Sequence, residues 1–282
     1  MTITLFHASD LHFGKEDTRA LDWFAECVRV EKPDAVAITG DLTMRARHRE
    51  FAAFCDWVLT LNVPVTVEVG NHDLPYWNLF ERFTTPYKRI RKIEALVERE
   101  IDLPGLSLVP LKTTARAQMR WNWSRGWVGK GPLKRALAAI DALPEGRLVL
   151  VTAHHPLVEA GTRGKALTKG GNAALAALAK AGVAAVLTGH VHDPFDLMQT
   201  TPEGPIRMIG AGTLSQRIRS TPPSFNELAI DGAVVTVTVR NLEKVRTRDM
   251  MIDDVPENAV PPGPGEPVAA VGAVRDPSVG ME

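Results

Sequence analysis

Five short polar motifs, nearly all set directly after a short apolar run, constrain this chain more than any other feature of it. They are Asp10-Leu11-His12, Gly40-Asp41, Gly70-Asn71-His72-Asp73, His154-His155-Pro156 and Gly189-His190-Val191-His192. The runs before them are Ile3 to Phe6, Ala35 to Thr39, Val65 to Val69, Val149 to Thr152 and Val183 to Leu187. Each is short, apolar and rich in β-branched residues, and so reads as a buried strand. Between them lie segments with helical spacing. Leu21, Phe24, Ala25 and Val28 mark a helix within Asp17 to Glu31. Phe51, Phe54, Val58 and Leu61 mark a second, and Asn172 to Lys180 is an Ala-rich third. Strands alternating with helices predict an α/β layered fold. Near the end, Glu227 to Ile230, then Asp231-Gly232, then Val234 to Val239 reads as a hairpin with an Asp-Gly turn, so the sheet is expected to be mixed.

In α/β sheets, ligand sites form beyond the carboxyl ends of strands, so loops distant in sequence can converge on one site. In an extended segment residues i and i+2 point the same way. On that reading Asp10 and His12 share a target, and so do His190 and His192. The glycines before Asp41, Asn71 and His190 allow tight turns that side chains would block. The donor set is two Asp, one Asn and several His. Mixed oxygen and imidazole donors suit Mn, Fe, Co or Zn better than Ca or Mg. Two divalent ions against the charges of Asp10 and Asp41 leave the site positive even with a bridging hydroxide, which favours a phosphate oxyanion. The chemistry implied is hydrolysis of a phosphate ester.

The rest of the chain sets limits. Its 282 residues allow one large domain or two small ones. Lys plus Arg and Asp plus Glu both number 33, so no global positive field favours nucleic acid as a partner. The 45% hydrophobic content suffices for a core, yet no run of about 18 apolar residues predicts a membrane span. The N-terminus lacks a basic n-region, and the two cysteines, Cys27 and Cys55, fall in helical patterns. Reduced thiols and a cytoplasmic location are the expectation. From about Val255 prolines and glycines dominate. The expected organisation is one catalytic domain over residues 1–250 and a disordered tail over 251–282.

The five motifs in this order, from Asp10 to His192, resemble the calcineurin-like metallophosphoesterase superfamily. The resemblance implies a four-layer α-β-β-α sandwich with mixed sheets and a dinuclear centre. By position it implies that Asp10, His12 and His192 hold one metal, that Asn71, His154 and His190 hold the other, and that Asp41 bridges. It also implies that His72 protonates the leaving oxygen and that Asp73 orients His72. His155 competes with His154 as the ligand, because the two are adjacent. The superfamily's ligand usually lies two residues before the proline, which favours His154. Within the superfamily, Gly40 to Asp73 is most similar to the bacterial cyclic-nucleotide and glycerophosphodiester phosphodiesterases. Met44 stands where purple acid phosphatases carry Tyr, and His72 where UDP-diacylglucosamine hydrolases carry Arg. The expected activity is therefore a phosphodiesterase for small anionic diesters such as 3',5'-cyclic nucleotides, acting through a metal-bridging hydroxide. The competing readings are a phosphomonoesterase or nuclease, and a scaffold without metals. Nothing in the sequence forbids a homo-oligomer.

Six of the eight histidines fall in the motifs, which makes coincidence a poor account of them. His7 reads equally as a hydrogen-bond partner behind the site and as a packed residue; His48 reads as surface. Between Asp102 and Asp141 there is no acid, and Lys112, Arg116, Arg120, Arg125, Lys130, Lys134 and Arg135 interleave with Trp121, Trp123 and Trp127. That segment is either a solvated face over packed tryptophans or a rim that attracts and stacks an anionic substrate. Arg163-Gly164-Lys165 with Lys169 is either a mobile lid or a solvated turn.

Overall fold

Alternation along single strands sets the layers. In β1 (Ile3–Ala8) Ile3 and Leu5 face one cluster while Phe6 and Ala8 face another. In β2 (Ala35–Ile38) Ala35 and Ala37 join the first, and Val36 and Ile38 the second. Because side chains of a strand alternate between faces, a sheet whose strands are apolar on both must be covered on both. The computed structural model describes residues 2–75, 78–97, 101, 103–115, 124–166 and 168–243. The tail over 251–282 lies outside them, as do Arg116, Arg120, Trp121 and Trp123.

Two five-stranded mixed sheets result. The first has the order β10-β9-β1-β2-β3, with β3 at Val65–Val67, β9 at Ser224–Asp231 and β10 at Val234–Asn241. Strands β1, β2 and β3 are parallel; β9 and β10 are antiparallel. The second has the order β4-β5-β6-β8-β7. Its strands are β4 (Leu106–Pro110), β5 (Leu148–Thr152), β6 (Ala185–Thr188), β7 (Phe195–Thr201) and β8 (Gly204–Gly210). All neighbours are parallel except β7 and β8. Leu5, Ala37 and Leu228 of the first sheet and Leu150, Leu187 and Ile209 of the second share one cluster between the sheets.

Helices cover the outer faces. Phe24 and Val28 of α1 (Thr18–Glu31), Phe51 and Phe54 of α2 (His48–Thr60) and Ile90 of α4 (Lys88–Val97) pack on the first sheet. Ala136 and Ile140 of α5 (Lys130–Asp141) and Leu175 and Leu178 of α6 (Gly171–Lys180) pack on the second. A short α3 (Leu79–Thr84) precedes α4. The arrangement is the expected four-layer α-β-β-α sandwich. Asp17 caps α1, its carboxylate accepting from the amides of Arg19 and Ala20. The predicted hairpin is β9–β10, with Gly232 and Ala233 at its tip and Asp231 still paired to Val234. The hairpin β7–β8 and strand β4 carry weaker patterns and were not anticipated. Cys27 and Cys55 are free thiols, buried and half-buried. No helix among the described residues is long and apolar enough to cross a membrane.

Candidate metal centre

Parallel strands of both sheets end at the same edge, and their loops bring the motifs together. Asp10 and His12 follow β1, Asp41 follows β2, and Asn71 to Asp73 follow β3. His154 and His155 follow β5; His190 and His192 follow β6. Donor atoms of Asp10, His12 and His192 lie within 4.8 Å of one another, as do those of Asp10, Asp41 and His154, and those of His154, His155 and His190. Asp41 Oδ2 is 3.4 Å from His154 Nε2 and 3.8 Å from His12 Nε2, which sets it between two imidazole groups. The amide oxygen of Asn71 lies 3.2 Å from His154 Nε2.

The backbone reaches this arrangement under strain. Asp10, His12, Asp41, His190 and His192 all have positive φ, between 49° and 70°. Left-handed backbone costs a non-glycine residue free energy, and such residues gather at functional sites. Asp10 and His12 therefore converge through two left-handed residues and not through an extended segment. The sequence anticipated the pairing with the wrong backbone. Gly189 is also explained differently. Its φ is ordinary, but a Cβ there would sit 1.7 Å from Ser9 Oγ and 2.6 Å from Asp10 Oδ2. Glycine is required for close approach, which lets the His190 amide donate to Asp10 Oδ2 at 2.7 Å.

Hydrogen bonds from the surrounding backbone fix the rings. His154 Nδ1 donates to the Thr39 carbonyl (2.8 Å), leaving Nε2 to face Asp41 and Asn71. His192 Nδ1 donates to the Arg217 carbonyl (2.6 Å), leaving Nε2 3.1 Å from Asp10 Oδ1. His155 is different. Its Nε2 donates to the Ser124 carbonyl (2.8 Å), and its Nδ1 accepts from the Thr113 hydroxyl (2.9 Å). Both of its nitrogens are engaged by Thr113 and Ser124, whereas His154 turns its Nε2 toward Asp41 and Asn71. His7 is buried behind the site. Its Nε2 meets the Thr39 hydroxyl at 3.0 Å, and its Nδ1 meets the side-chain amide of Asn226 at 3.3 Å.

The orientation expected for His72 needs correction. Its Nδ1 donates to the Met44 carbonyl at 2.8 Å, and its Nε2 points back into the site. Asp73 does not orient the ring. Its buried carboxylate accepts from the amides of Leu42, Thr43 and Gly70 and from the Thr43 hydroxyl, which ties the loops after β2 and β3 together. A short carboxylate one residue after the histidine reaches the backbone of its own turn more readily than the neighbouring ring.

The electrostatics are those of two buried carboxylates among imidazoles. Burial opposes ionisation of Asp10 and Asp41, yet the rings outweigh it and hold both below the usual carboxylate range. His192 leads at Asp10 and His154 at Asp41. In return Asp41 overcomes burial and raises His154 to about 9. Burial and the nearby His154 depress His190 to about 3, so that ring is neutral. Burial, with Asp41 behind it, pushes Asp73 up to about 7, against the backbone amides that favour its charge. Asp10 Oδ1 is buried with no hydrogen-bond donor, and it faces two imidazole nitrogens. A buried anionic oxygen and ring nitrogens turned toward one point form a donor set that a divalent cation satisfies, displacing any proton they carry.

One residue in the site was not anticipated. Arg217 Nη1 lies 3.1 Å from His12 Nε2 and 3.1 Å from His72 Nε2. It sits on the segment after β8, a sixth loop at the same edge. Reading residues 204–210 as a strand would have pointed to that loop.

A family model described as calcineurin-like phosphoesterase matches residues 3–194, about two thirds of the chain. No curated protein matches it. Several solved structures share its fold. A dimetal phosphatase from Danio rerio aligns with TM-score 0.58 at 14% identity, over 84% of this chain and 98% of that one. The purple acid phosphatase PPD1 from yellow lupin (Lupinus luteus) seeds aligns at 0.61 and 14%, over 86% of this chain and 52% of that one. The Thermus thermophilus protein TT1561 aligns at 0.55 and 14%, over 84% and 99%.

Proposed function

Since this chain belongs to the calcineurin-like phosphoesterase family, we propose that it is a two-metal phosphodiesterase for small anionic diesters, with 3',5'-cyclic nucleotides as the leading candidates. The observation that carries the reading is the position of Asp41, whose Oδ2 lies between His12 and His154. Asp10, His12 and His192 would hold one divalent ion; Asn71, His154 and His190 the other; Asp41 both. Mn, Fe, Zn or Co fits the mixture of carboxylate, amide and imidazole donors. Two such ions would supply Lewis-acid charge for the phosphoryl group and lower the pKa of a bound water.

The chain's own groups do the rest. Carbonyls of Thr39 and Arg217 hold Nδ1 of His154 and His192, so that each turns its Nε2 to the centre. The Met44 carbonyl holds the proton of His72 on Nδ1 and directs Nε2 at the substrate side. As general acid, His72 would pass a proton from Nε2 to the departing alkoxide. A diester with an alkyl leaving group needs that proton, and a nitrophenyl ester does not. His72→Ala is therefore expected to slow alkyl diesters at least tenfold more than nitrophenyl ones. Equal losses would remove the general-acid role. The class of substrate is tested with the Mn-loaded protein on cyclic nucleotides, glycerophosphodiesters and phosphomonoesters. Highest kcat/KM on a diester supports the reading. Highest kcat/KM on a monoester, or no turnover of any, overturns it.

A further inference from the structure

We infer that Arg217 is a substrate-binding residue, a guanidinium that pairs with the non-bridging oxygens of the phosphoryl group. The inference rests on the phosphoester-hydrolase reading above. It goes beyond it in naming a contact that lies outside the residues matched by the family model, which end at 194.

Three features of the loop after β8 support this. The first is position. One nitrogen, Nη1, touches both His12, in the first ligand group, and His72, the proposed proton donor. A phosphoryl group attacked at the centre, with its leaving oxygen protonated by His72, must lie between those residues, within reach of the same guanidinium. The second is the free edge of the fork. Among the described residues Nε and Nη2 have no hydrogen-bond partner, and the side chain is only half-buried. A guanidinium presents five donors in a plane that matches two oxygens of a phosphate. Most of that capacity is available to a ligand.

The third is anchorage. The Arg217 amide donates to Ser215 Oγ, and its carbonyl holds His192. The Thr213 hydroxyl donates to the carbonyl of Asp10, and Asp193 accepts from the amide and hydroxyl of Ser220. The backbone on either side of Arg217 is thus tied to two metal-ligand motifs, while its side-chain tip remains adjustable. A guanidinium fixed in this way adds one positive charge beside the centre. It strengthens the preference for an anionic phosphoryl group without adding a metal ligand.

The test uses the full chain loaded with Mn, its Arg217→Lys and Arg217→Ala variants, and inorganic phosphate as the probe. Metal content and melting temperature are measured alongside phosphate affinity by calorimetry and KM for bis-nitrophenyl phosphate. Substitution leaves the main-chain carbonyl that holds His192 in place, so metal content is expected to stay at the wild-type value. Phosphate affinity is expected to fall roughly 10- to 100-fold in Arg217→Ala and less in Arg217→Lys, which keeps the charge and loses the fork. Added guanidinium ion is expected to restore part of the loss. Unchanged phosphate affinity overturns the inference, as does a loss of bound Mn that accounts for the weaker binding. If the wild-type protein itself neither binds phosphate nor cleaves the ester, the hydrolase reading fails, and that outcome is distinct from a failure at Arg217.

Discussion

The two sheets feed one site with different chemistry. Loops of the first carry Asp10, Asp41 and Asn71, together with His12 and His72. Loops of the second carry His154, His190 and His192, with no carboxylate or amide among the candidate ligands. Each side is also oriented by the backbone of the other. The His190 amide, on the second sheet, holds Asp10; the Thr39 carbonyl, on the first, holds His154. Anionic charge thus belongs to one half, while the other supplies imidazole lone pairs alone. On the assignment proposed above, each ligand group draws on loops of both sheets, so metal binding would report that the sheets are correctly packed.

Removing the charge where the halves meet tests this division most severely. Asp41→Asn keeps the shape and the acceptor for the His72 amide, but removes the anion between His12 and His154. Turnover is expected to fall about a thousandfold, because several kcal/mol of charge stabilisation are lost. Bound metal per chain is expected to drop as well. Activity within tenfold of wild type, with full metal content, would show that the imidazoles suffice and that the division has no consequence.

Within the second sheet, His154 and His155 refine the contrast. They are adjacent, identical in type and both buried, yet His154 turns a nitrogen to Asp41 while His155 spends both of its nitrogens on Thr113 and Ser124. His154→Ala is expected to lose about one metal ion per chain by elemental analysis. His155→Ala is expected to keep its metals and to lose about 1–3 kcal/mol of stability in urea unfolding, since it removes the ring's hydrogen bonds to the Thr113 hydroxyl and the Ser124 carbonyl. The reverse pattern would exchange the roles.

A smaller effect separates the backbone of the two halves. Gly189→Ala would push a methyl group into Ser9 and Asp10 across the junction of the sheets. A cost of about 1–3 kcal/mol is expected from overpacking, with weaker metal affinity because the carboxylate must move. Gly182→Ala, where nothing lies within 4 Å of the added carbon, is a control that carries only the left-handed φ of 75°. If Gly189→Ala is as mild as Gly182→Ala, the close approach is not needed.

How much of this was legible beforehand follows from the physics of each element. The convergence of the five motifs was readable because chemistry dictates residue type, and the strands before them were readable because buried parallel strands are continuous apolar runs. The alternation of strands with helices pointed to a layered α/β fold, and the four-layer arrangement came from the family resemblance. The orientation of His72 was not readable, since it depends on the main-chain carbonyl of Met44, which any residue type supplies. Arg217 was hidden for a related reason. Its strand, β8, contains Pro205, Arg207 and two terminal glycines, and lacks the apolar run that marked the others. The choice between His154 and His155 turned on Thr113 and Ser124, which lie about 30 to 40 residues away in sequence.

His7 gives the smallest and most specific test, because it lies behind the first sheet's carboxylates and binds no metal on this reading. Burial, against the pull of Asp10, lowers its pKa to about 3, so the ring is neutral in the fold. In the unfolded chain it takes up a proton near pH 6.5. Below that pH the unfolded state therefore binds more protons than the native state. The contribution of His7 to stability is fully present above pH 6.5 and is lost as pH falls toward 3, at about 1.4 kcal/mol per unit. Between pH 7 and pH 5 the expected loss is roughly 2 kcal/mol. His7→Gln can still hydrogen-bond toward Thr39 and Asn226 and does not titrate. In chelator-treated protein, urea unfolding of wild type and His7→Gln at the two pH values isolates this one group from the other histidines. The gap between them is expected to narrow by that amount on acidification. A gap that stays constant would mean that His7 is protonated inside the fold, with its charge met by Asp10, and the first sheet would then carry a buried cation behind its carboxylates.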